Sequence, residues 1–418
     1  MTKAIPAILV SPPGTAAGNT PYWNGTQWVV NSSNIFNNGG NVGIGTTTPG
    51  AKLEVAGADA RIHGLTIGRG GGSISTNTAI GLSALQANTI GIRNTASGVE
   101  ALQANITGTS NTANGWQALF ANTIGNFNTA TGNGALVFNS TGSFNTANGN
   151  GALFFNSMGS NNTASGSGAL LSNSTGSNNT AGGSSALVSN TTGSSNTGLG
   201  YLANVASNNL TNATVIGANA VVDASNKIRL GDAAVTVIEG QVAYTFPSDG
   251  RFKTNVSEEV KGLDFITRLR PVVYNFDTRK FDQYLHKNMP DSLKAHLQTQ
   301  DYSASTAIRQ SGFIAQEVEK AMKESGYNFN GLLQPANQDG YYSVAYSQFV
   351  MPLVKSVQEL NEKLTALEKE NAALKQENAG LKANTNNTQT TLEDLQAKLQ
   401  ALEAKMEQLL HSSGTGKN

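Results

Sequence analysis

Hydrophobic and polar positions follow three successive rules along this chain, and each predicts a different architecture. Over residues 1–75, short apolar runs are broken by turn residues. Tyr22-Trp23-Asn24-Gly25-Thr26-Gln27-Trp28-Val29-Val30 has the pattern of a β-hairpin around Asn-Gly. Val42-Gly43-Ile44-Gly45 and Lys52-Leu53-Glu54-Val55 predict two further short strands. No helical pattern follows the Gly-x-Gly at 43–45, so glycines at a tight strand crossing are expected there, not a phosphate loop.

The second rule is a strict repeat with one constant step. Asn-Thr recurs at Asn77, Asn94, Asn111, Asn128, Asn145, Asn162, Asn179 and Asn196. Gly keeps the same step from Gly81 to Gly200, Ala-Leu from Ala84-Leu85 to Ala186-Leu187, and a second Asn from Asn88 to Asn190. Four residue types holding one period predict a solenoid. One Leu and one or two Ala per coil would point inward, Leu would stack into an apolar column, and Asn would hydrogen-bond along the axis. Residues 203–247 taper this array, with strands expected at 213–217, 227–231 and 235–240.

The third rule begins at Ser248. A short amphipathic helix is expected over Val260–Leu269, a strand over Pro271–Phe276, a helix after Gly312 and a strand at Tyr341–Val344. These make a small α+β unit. Heptads follow: with Val357 at position a, the d sites run from Leu360 to Leu409 and are Leu except Thr388. The phase runs unbroken through the polar stretch Asn384–Thr391, which predicts two apolar coiled-coil blocks with a weak joint. Asn371 and Asn378 occupy core a positions, where they set register at a cost in stability.

Charge sharpens the same border. Of 54 charged residues, 14 precede Gly250, and between Asn77 and Leu202 only Arg93 and Glu100 are charged. So polar a segment would be disordered by composition alone, and the repeat overrules that. Net charge is zero, which implies no general attraction to nucleic acid or anionic membrane. The absence of cysteine removes disulfides, thiolate metal sites and cysteine nucleophiles. The four histidines (63, 286, 296, 411) are too scattered for metal-ligand spacing or a Ser-His-Asp triad. No metal and no cofactor are therefore expected. No apolar run approaches a membrane span, and the N-terminus reads as a poor signal peptide.

Ser248 and Lys253 stand together at the border. A serine needs a base to attack a carbonyl. Lysine serves as one only when neutral, which requires desolvation or nearby cations. Arg251 is a candidate for lowering the pKa of Lys253, and Gly250 for a turn that brings its amine back to Ser248. Taken alone, the spacing fits a serine cap and a solvated lysine better than a catalytic pair.

Two resemblances add to this reading. The array is similar to the head repeats of trimeric autotransporter adhesins, which carry a comparable Asn-x-Ala-x-Gly-x-x-Ala pattern; that implies a trimer. Ser248-Asp249-Gly250-Arg251-Phe252-Lys253-Thr254-Asn255 resembles the start of the peptidase S74 domain. This is the intramolecular chaperone of phage tail spikes and fibres, including endosialidases, and is also found in myelin regulatory factor. The resemblance continues through Leu263-x-x-Ile266-x-x-Leu269-x-Pro271-x-x-Tyr274-x-Phe276, Gly312-Phe313-Ile314-Ala315-Gln316-Glu317-Val318 and the helix from Tyr346 to Leu360. It implies that the C-terminal part trimerises, drives folding of the shaft and releases itself, with Ser248 as nucleophile and Lys253 as general base. Asp249, Arg251 and Asn255 match the motif in structural or orienting roles.

Attack of Ser248 on the Pro247 carbonyl closes a five-membered ring and cuts Pro247–Ser248. Attack on its own carbonyl needs a four-membered ring, so a cut at Ser248–Asp249 needs another attacking group, such as water. Both bonds stay open on sequence.

The expected fold is mainly β. A β-rich attachment region (1–75) leads into a trimeric β-roll or β-helix (76–202) and its tapering cap (203–247). The α+β chaperone (248–350), a trimeric coiled coil (351–410) and a disordered tail (411–418) follow. The leading function is a trimeric tail-fibre-like protein, on a virion tail or a cell surface, that releases its own chaperone. The alternative is a bacterial surface adhesin that keeps an uncleaved S74-like cap. A polysaccharide-cleaving spike is disfavoured, because the array offers only Glu100 where two carboxylates are needed. Trp116, Phe127, Phe138, Phe144, Phe154 and Phe155 suit packing between chains, with binding of a host-surface glycan or receptor as the other reading.

Overall fold

Each Thr-Ala-x step of the repeat forms a short strand, and these strands pair in parallel, coil on coil. Thr78–Ile80, Thr95–Ser97 and Thr112–Asn114 begin the ladder, and the same register continues to Thr214–Ile216. Period-2 alternation decides the faces. Thr95, Thr112 and Thr129 point to solvent, while Ala96, Ala113 and Ala130 between them are fully buried. The computed structural model describes residues 19–23, 26–37, 39–335 and 340–413. By their contacts these divide into two compact units. One runs to Gln241 and takes in Asn275–Arg309; the other comprises Val242–Tyr274 and the chain from Gln310 onwards.

In the first unit, Asn19–Trp23 and Trp28–Asn37 form the expected hairpin, with Trp23 opposite Trp28 and their rings edge to face. The turn residues Asn24 and Gly25 lie outside the described residues. Val42–Ile44 joins this sheet antiparallel, and Leu53–Val55 adds parallel to it. Gly45 holds a left-handed φ of 75°, and a Cβ there would lie 2.5 Å from the Ala56 carbonyl. The Gly-x-Gly is thus a strand crossing.

The solenoid core is a column of Leu85, Leu102, Leu119, Leu136, Leu153, Leu170 and Leu187, flanked by two Ala per coil. One Leu and two Ala release too little free energy to order a whole coil, so each coil is stable only within the stack. Two buried Asn columns bind the coils together. In one, Asn139 Nδ2 donates to Asn122 Oδ1 (2.8 Å) and to the Gly142 carbonyl (2.9 Å), while its Oδ1 accepts from Asn156 Nδ2 (2.7 Å). In the other, Asn111 Oδ1 accepts the backbone N–H of Asn128 (2.9 Å) and Asn111 Nδ2 donates to the Gly125 carbonyl (2.8 Å). A short side chain with both donor and acceptor is required at each step, and Asn supplies it. Close approach explains the glycine that follows: a Cβ on Gly142 would lie 2.4 Å from Asn139 Oδ1.

The leucines themselves are left-handed, with φ of 51–55° from Leu85 to Leu187. This conformation is costly for a bulky residue. The stack enforces it, because each Leu N–H donates to the Ala carbonyl of the next coil (Leu136 to Ala152, 3.0 Å).

The taper departs from expectation at its end. Thr214–Ile216 and Ile228–Leu230 are strands, but Val235–Gly240 is not. The register puts Arg229 opposite the buried Val215. A guanidinium at the inward position ends the apolar column, and Val237 and Ile238 are left exposed. The excursion Asn275–Arg309 contains α2 (Thr278–Leu285), α3 (His296–Thr299) and α4 (Ser303–Ala307) and packs with these last coils. The Arg229 guanidinium lies over the Phe281 ring, 5.5 Å from its centre, and Asn204 Nδ2 reaches the buried Met289 Sδ.

In the second unit, α1 (Leu263–Ile266) and α5 (Ala315–Ser325) pack with the start of α6 (Val350–Ser413). The Val260–Leu269 helix is thus shorter than expected. Strands Val272–Asn275 and Arg309–Gly312 pair, as do Leu332–Leu333 and Ser343–Val344. α6 is continuous through Asn384–Thr391. Its threonines fit a helix by donating back to a carbonyl one turn earlier, as in Thr385 to Leu381 (2.8 Å) and Thr388 to Asn384 (2.8 Å). His411–Ser413, expected in the tail, still belong to the helix, and residues 414–418 lie outside the described residues.

Candidate active site

The border octapeptide forms one tight turn. Asp249 caps a 3-10 turn over Gly250–Phe252, with its Oδ1 accepting the Arg251 backbone N–H at 2.9 Å. Phe252 N–H donates to the Asp249 carbonyl (3.1 Å), and Lys253 N–H to the Gly250 carbonyl (3.1 Å). The chain therefore doubles back, and Lys253 Nζ stands 2.8 Å from Ser248 Oγ. An extended chain would hold these residues roughly 17 Å apart at the Cα atoms. The spacing that sequence left ambiguous becomes a hydrogen-bonded pair. Asn255 takes a left-handed φ of 53°, which Asn tolerates better than most residues.

Two roles expected from sequence change. Arg251 is not free to act on Lys253. Its Nε and Nη2 both donate to Asp249 Oδ2 (3.0 and 2.7 Å), so its charge is balanced within the turn. The pairing also lowers the Asp249 pKa, chiefly through the side-chain hydrogen bonds from Arg251. Gly250 has no positive φ, and a Cβ there would meet nothing within 4 Å. The turn comes from the Asp249 cap, not from glycine.

Ser248 and Lys253 are both exposed, and Lys253 is placed to donate to the serine oxygen. Proton transfer from serine to lysine needs the reverse, a neutral amine accepting from the hydroxyl.

Beyond the turn, the scattered sequence motifs meet in one core. Phe265 is fully buried among Val318, Ala321, Phe329, Leu332 and Phe349, with Ile266, Leu269 and Phe313 packed against them. Gly312 is needed where it stands, because a Cβ would meet the Tyr346 hydroxyl and the Tyr274 ring. That hydroxyl accepts the Phe313 N–H at 3.0 Å. Arg270 pairs with Glu317, and Glu359 of α6 accepts the Leu263 N–H at 2.8 Å, capping α1.

Sequence reading missed one cluster of ionisable groups. Asp282, His286 and Tyr302 are all buried in the excursion. Tyr302 Oη donates to Asp282 Oδ2 (2.5 Å), and His286 Nδ1 lies 2.9 Å from the Asp282 carbonyl. Burial first, and then the Asp282 carboxylate, raise the Tyr302 pKa. The one-turn spacing of Asp282 and His286 on a helix was the available signal. Tyr302, on a later segment of the excursion, was not visible as their partner. The group is far more enclosed than the border turn and ties α2 to α4. Among the described residues, no helix is long and apolar enough to cross a membrane.

No curated protein and no solved structure matches the chain. A family model does match, that of Peptidase_S74, described as the chaperone of endosialidase, over residues 248–327. The match begins on the serine of the turn and runs through the first two motifs of the shared core. The chain thus carries, from Ser248 to Tyr327, a domain of the peptidase S74 family.

Proposed function

We propose that this chain is a trimeric, tail-fibre-like structural and adhesion protein whose C-terminal part chaperones shaft assembly and then releases itself at Ser248. The observation that carries this reading is the 2.8 Å approach of Lys253 Nζ to Ser248 Oγ at the first residue of the matched domain. With Lys253 neutral, Ser248 Oγ attacks the Pro247 carbonyl carbon and its proton passes to Nζ. The Pro247–Ser248 C–N bond breaks, and the leaving Ser248 amine takes a proton back from Nζ. Water then hydrolyses the resulting ester, restoring the serine hydroxyl and leaving Pro247 as a carboxylate. One water is consumed in a single turnover.

A chaperone suits this shaft. Every coil presents the same edge, so coils of one chain stack in many registers on another. The exposed d-position leucines of α6, from Leu360 to Leu409, suit a parallel trimeric coiled coil that sets register first. Release afterwards leaves a shaft held by its unfolding barrier. Its place is a virion tail or a cell surface.

The shaft aromatics support packing between chains. Phe127 stacks on Phe144 (5.0 Å, 8°) and Phe138 on Phe155 (5.6 Å, 1°), and all four rings remain about half exposed along the shaft, an apolar stripe suited to a second copy of the same coils.

Intact-mass spectrometry of the purified full chain tests the reading. Fragments 1–247 and 248–418 are expected, with the first recovered as a trimer. A single uncut species after trimer formation would favour the adhesin with a retained cap. Asp249→Ala removes both the cap and the partner of Arg251, and release is expected to slow about tenfold as the turn loosens, read as the cut fraction over time. Because pairing depresses the Asp249 pKa, the clamp is present above the ordinary carboxylate range and is lost only as pH falls through the lowered value.

A further inference from the structure

The excursion and the last coils of the shaft do not close on each other completely. Within their one compact unit they enclose a cavity of about 620 Å³, inside the ~300–1,000 Å³ range of small-molecule sites. One wall is drawn from shaft residues 171–209 and the other from excursion residues 288–293. Asn204 fastens the two, its Nδ2 donating to Ser189 Oγ (2.9 Å) and reaching Met289 Sδ (3.9 Å). The cavity is thus built into the fold before any ligand arrives.

The repeat breaks at this cavity. The second Asn column runs through buried residues from Asn88 to Asn190. Ser207 stands at the next step and is exposed. Asn204 takes the place of the core Leu, and Leu210 that of the glycine three residues after the column Asn. Asn190 Oδ1 accepts from Asn196 Nδ2 instead (3.1 Å). Ser207, Asn208 and Asn209 are left exposed, and all three line the cavity.

The lining states what fits. Leu171 and the buried Val188 and Met289 give it an apolar surface. Ser172, Ser207, Asn209, Asn288 and Ser292 add hydroxyls and carboxamides that make no side-chain hydrogen bond among the described residues. Each can both donate and accept, which is what a ligand hydroxyl requires of its partners. Among the described residues no charged side chain lines the cavity, so nothing there offsets the cost of taking an ionised ligand out of water. A neutral molecule with several hydroxyls and one C–H face meets all of these conditions.

We propose that this cavity binds a short neutral saccharide, its C–H face against Leu171, Val188 and Met289 and its hydroxyls on those five polar side chains. One wall precedes Ser248 and the other follows it, so the site belongs to the joined chain and does not rest on self-release. By mass action a bound saccharide holds the excursion on the shaft.

The full chain carrying Ser248→Ala keeps both walls together. It is titrated with four neutral disaccharides, maltose, cellobiose, lactose and N,N′-diacetylchitobiose, by saturation-transfer NMR. At least one is expected to bind with a Kd of about 1 mM or tighter. Asn209→Trp fills the cavity from an exposed position, and Asn288→Ala with Ser292→Ala removes the excursion's polar groups. Each is expected to weaken binding about tenfold or more, with thermal unfolding of the free chain as in the parent. Amide exchange is expected to slow at 171–172, 206–209 and 288–293 on binding, and to stay unchanged over the aromatic coils at 116–158. Absence of binding by all four at about 10 mM overturns the proposal. Affinity that survives both variants also overturns it, by placing the saccharide elsewhere. So does equal binding of the same disaccharide carrying a carboxylate, and so does a capped Ala-Ser-Ala peptide that binds where no disaccharide does. The disaccharide tethered by its reducing end to a bead separates two sources. Retention of the chain points to the end of a glycan, binding of the free sugar without retention to a soluble one, and either supports the site.

Discussion

Ser248→Ala is expected to yield one species at the full 43.4 kDa, assembled like the parent chain but never cut. The substitution removes a single oxygen from an exposed side chain, and the bond lost is the one from Lys253 Nζ, while the turn keeps its own supports. The Asp249 cap, its pair with Arg251 and the backbone bonds of the 3-10 turn do not involve Ser248 Oγ. Lys253→Met keeps most of the side-chain stem and removes the amine. Lys253→Arg keeps the charge but cannot give up its proton. General-base contributions run to about 10²–10⁴-fold, so both lysine variants should slow release by roughly 10³-fold, and loss of the nucleophile should abolish it. The measurement is the cut fraction by intact mass over days. Parent-like release from the Arg variant would show that Lys253 acts by charge alone and not as a base.

The largest effect on the shaft is expected from Asn139→Asp. Asn139 is completely buried and donates to two acceptors, Asn122 Oδ1 and the Gly142 carbonyl. Asp is the same size but presents an oxygen to both. The ionised form is a buried charge facing two acceptors, a class of change that costs about 3–5 kcal/mol. Burial raises the pKa of such a carboxylate above its unfolded value. The variant should therefore be least impaired below the ordinary carboxylate range, where the protonated acid regains one donor, and lose stability as pH rises through the raised pKa. Denaturant unfolding of the shaft from pH 3.5 to 8 checks the sign. Asn133→Asp, exposed in the same coil, should stay within about 0.5 kcal/mol of the parent.

These two residues show what kind of information each level carries. Asn139 was legible because its role repeats: identical coils put identical side chains in contact, and a period on paper becomes a column in space. The inward Ala and Leu positions follow for the same reason. What the repeat did not disclose is that each core Leu sits in a left-handed conformation. Local preference opposes it, and only the bond to the neighbouring coil sustains it. The end of the shaft was misread in the same way. Val235–Gly240 looks like a strand, but Arg229 at the inward position had already closed the ladder.

At the border, residue types and spacing nominated Ser248 and Lys253, and the motifs nominated the family. The helper roles came out differently because they depend on where side chains point. Arg251 is held by Asp249, and Gly250 contributes no special conformation.

The sequence by itself determined whatever repeats or is local. That covers the repeating coil, the heptad phase of α6 and the family of the domain that begins at Ser248. Tertiary structure alone decided the rest. It put Lys253 Nζ against Ser248 Oγ and closed one core from segments as distant in the chain as Phe265 and Phe349. It also joined Asp282 to Tyr302 and seated the 275–309 excursion against the last coils. The physical reason is common to all of these: a period states which residues share an environment, whereas contacts between unlike segments depend on how the chain turns between them.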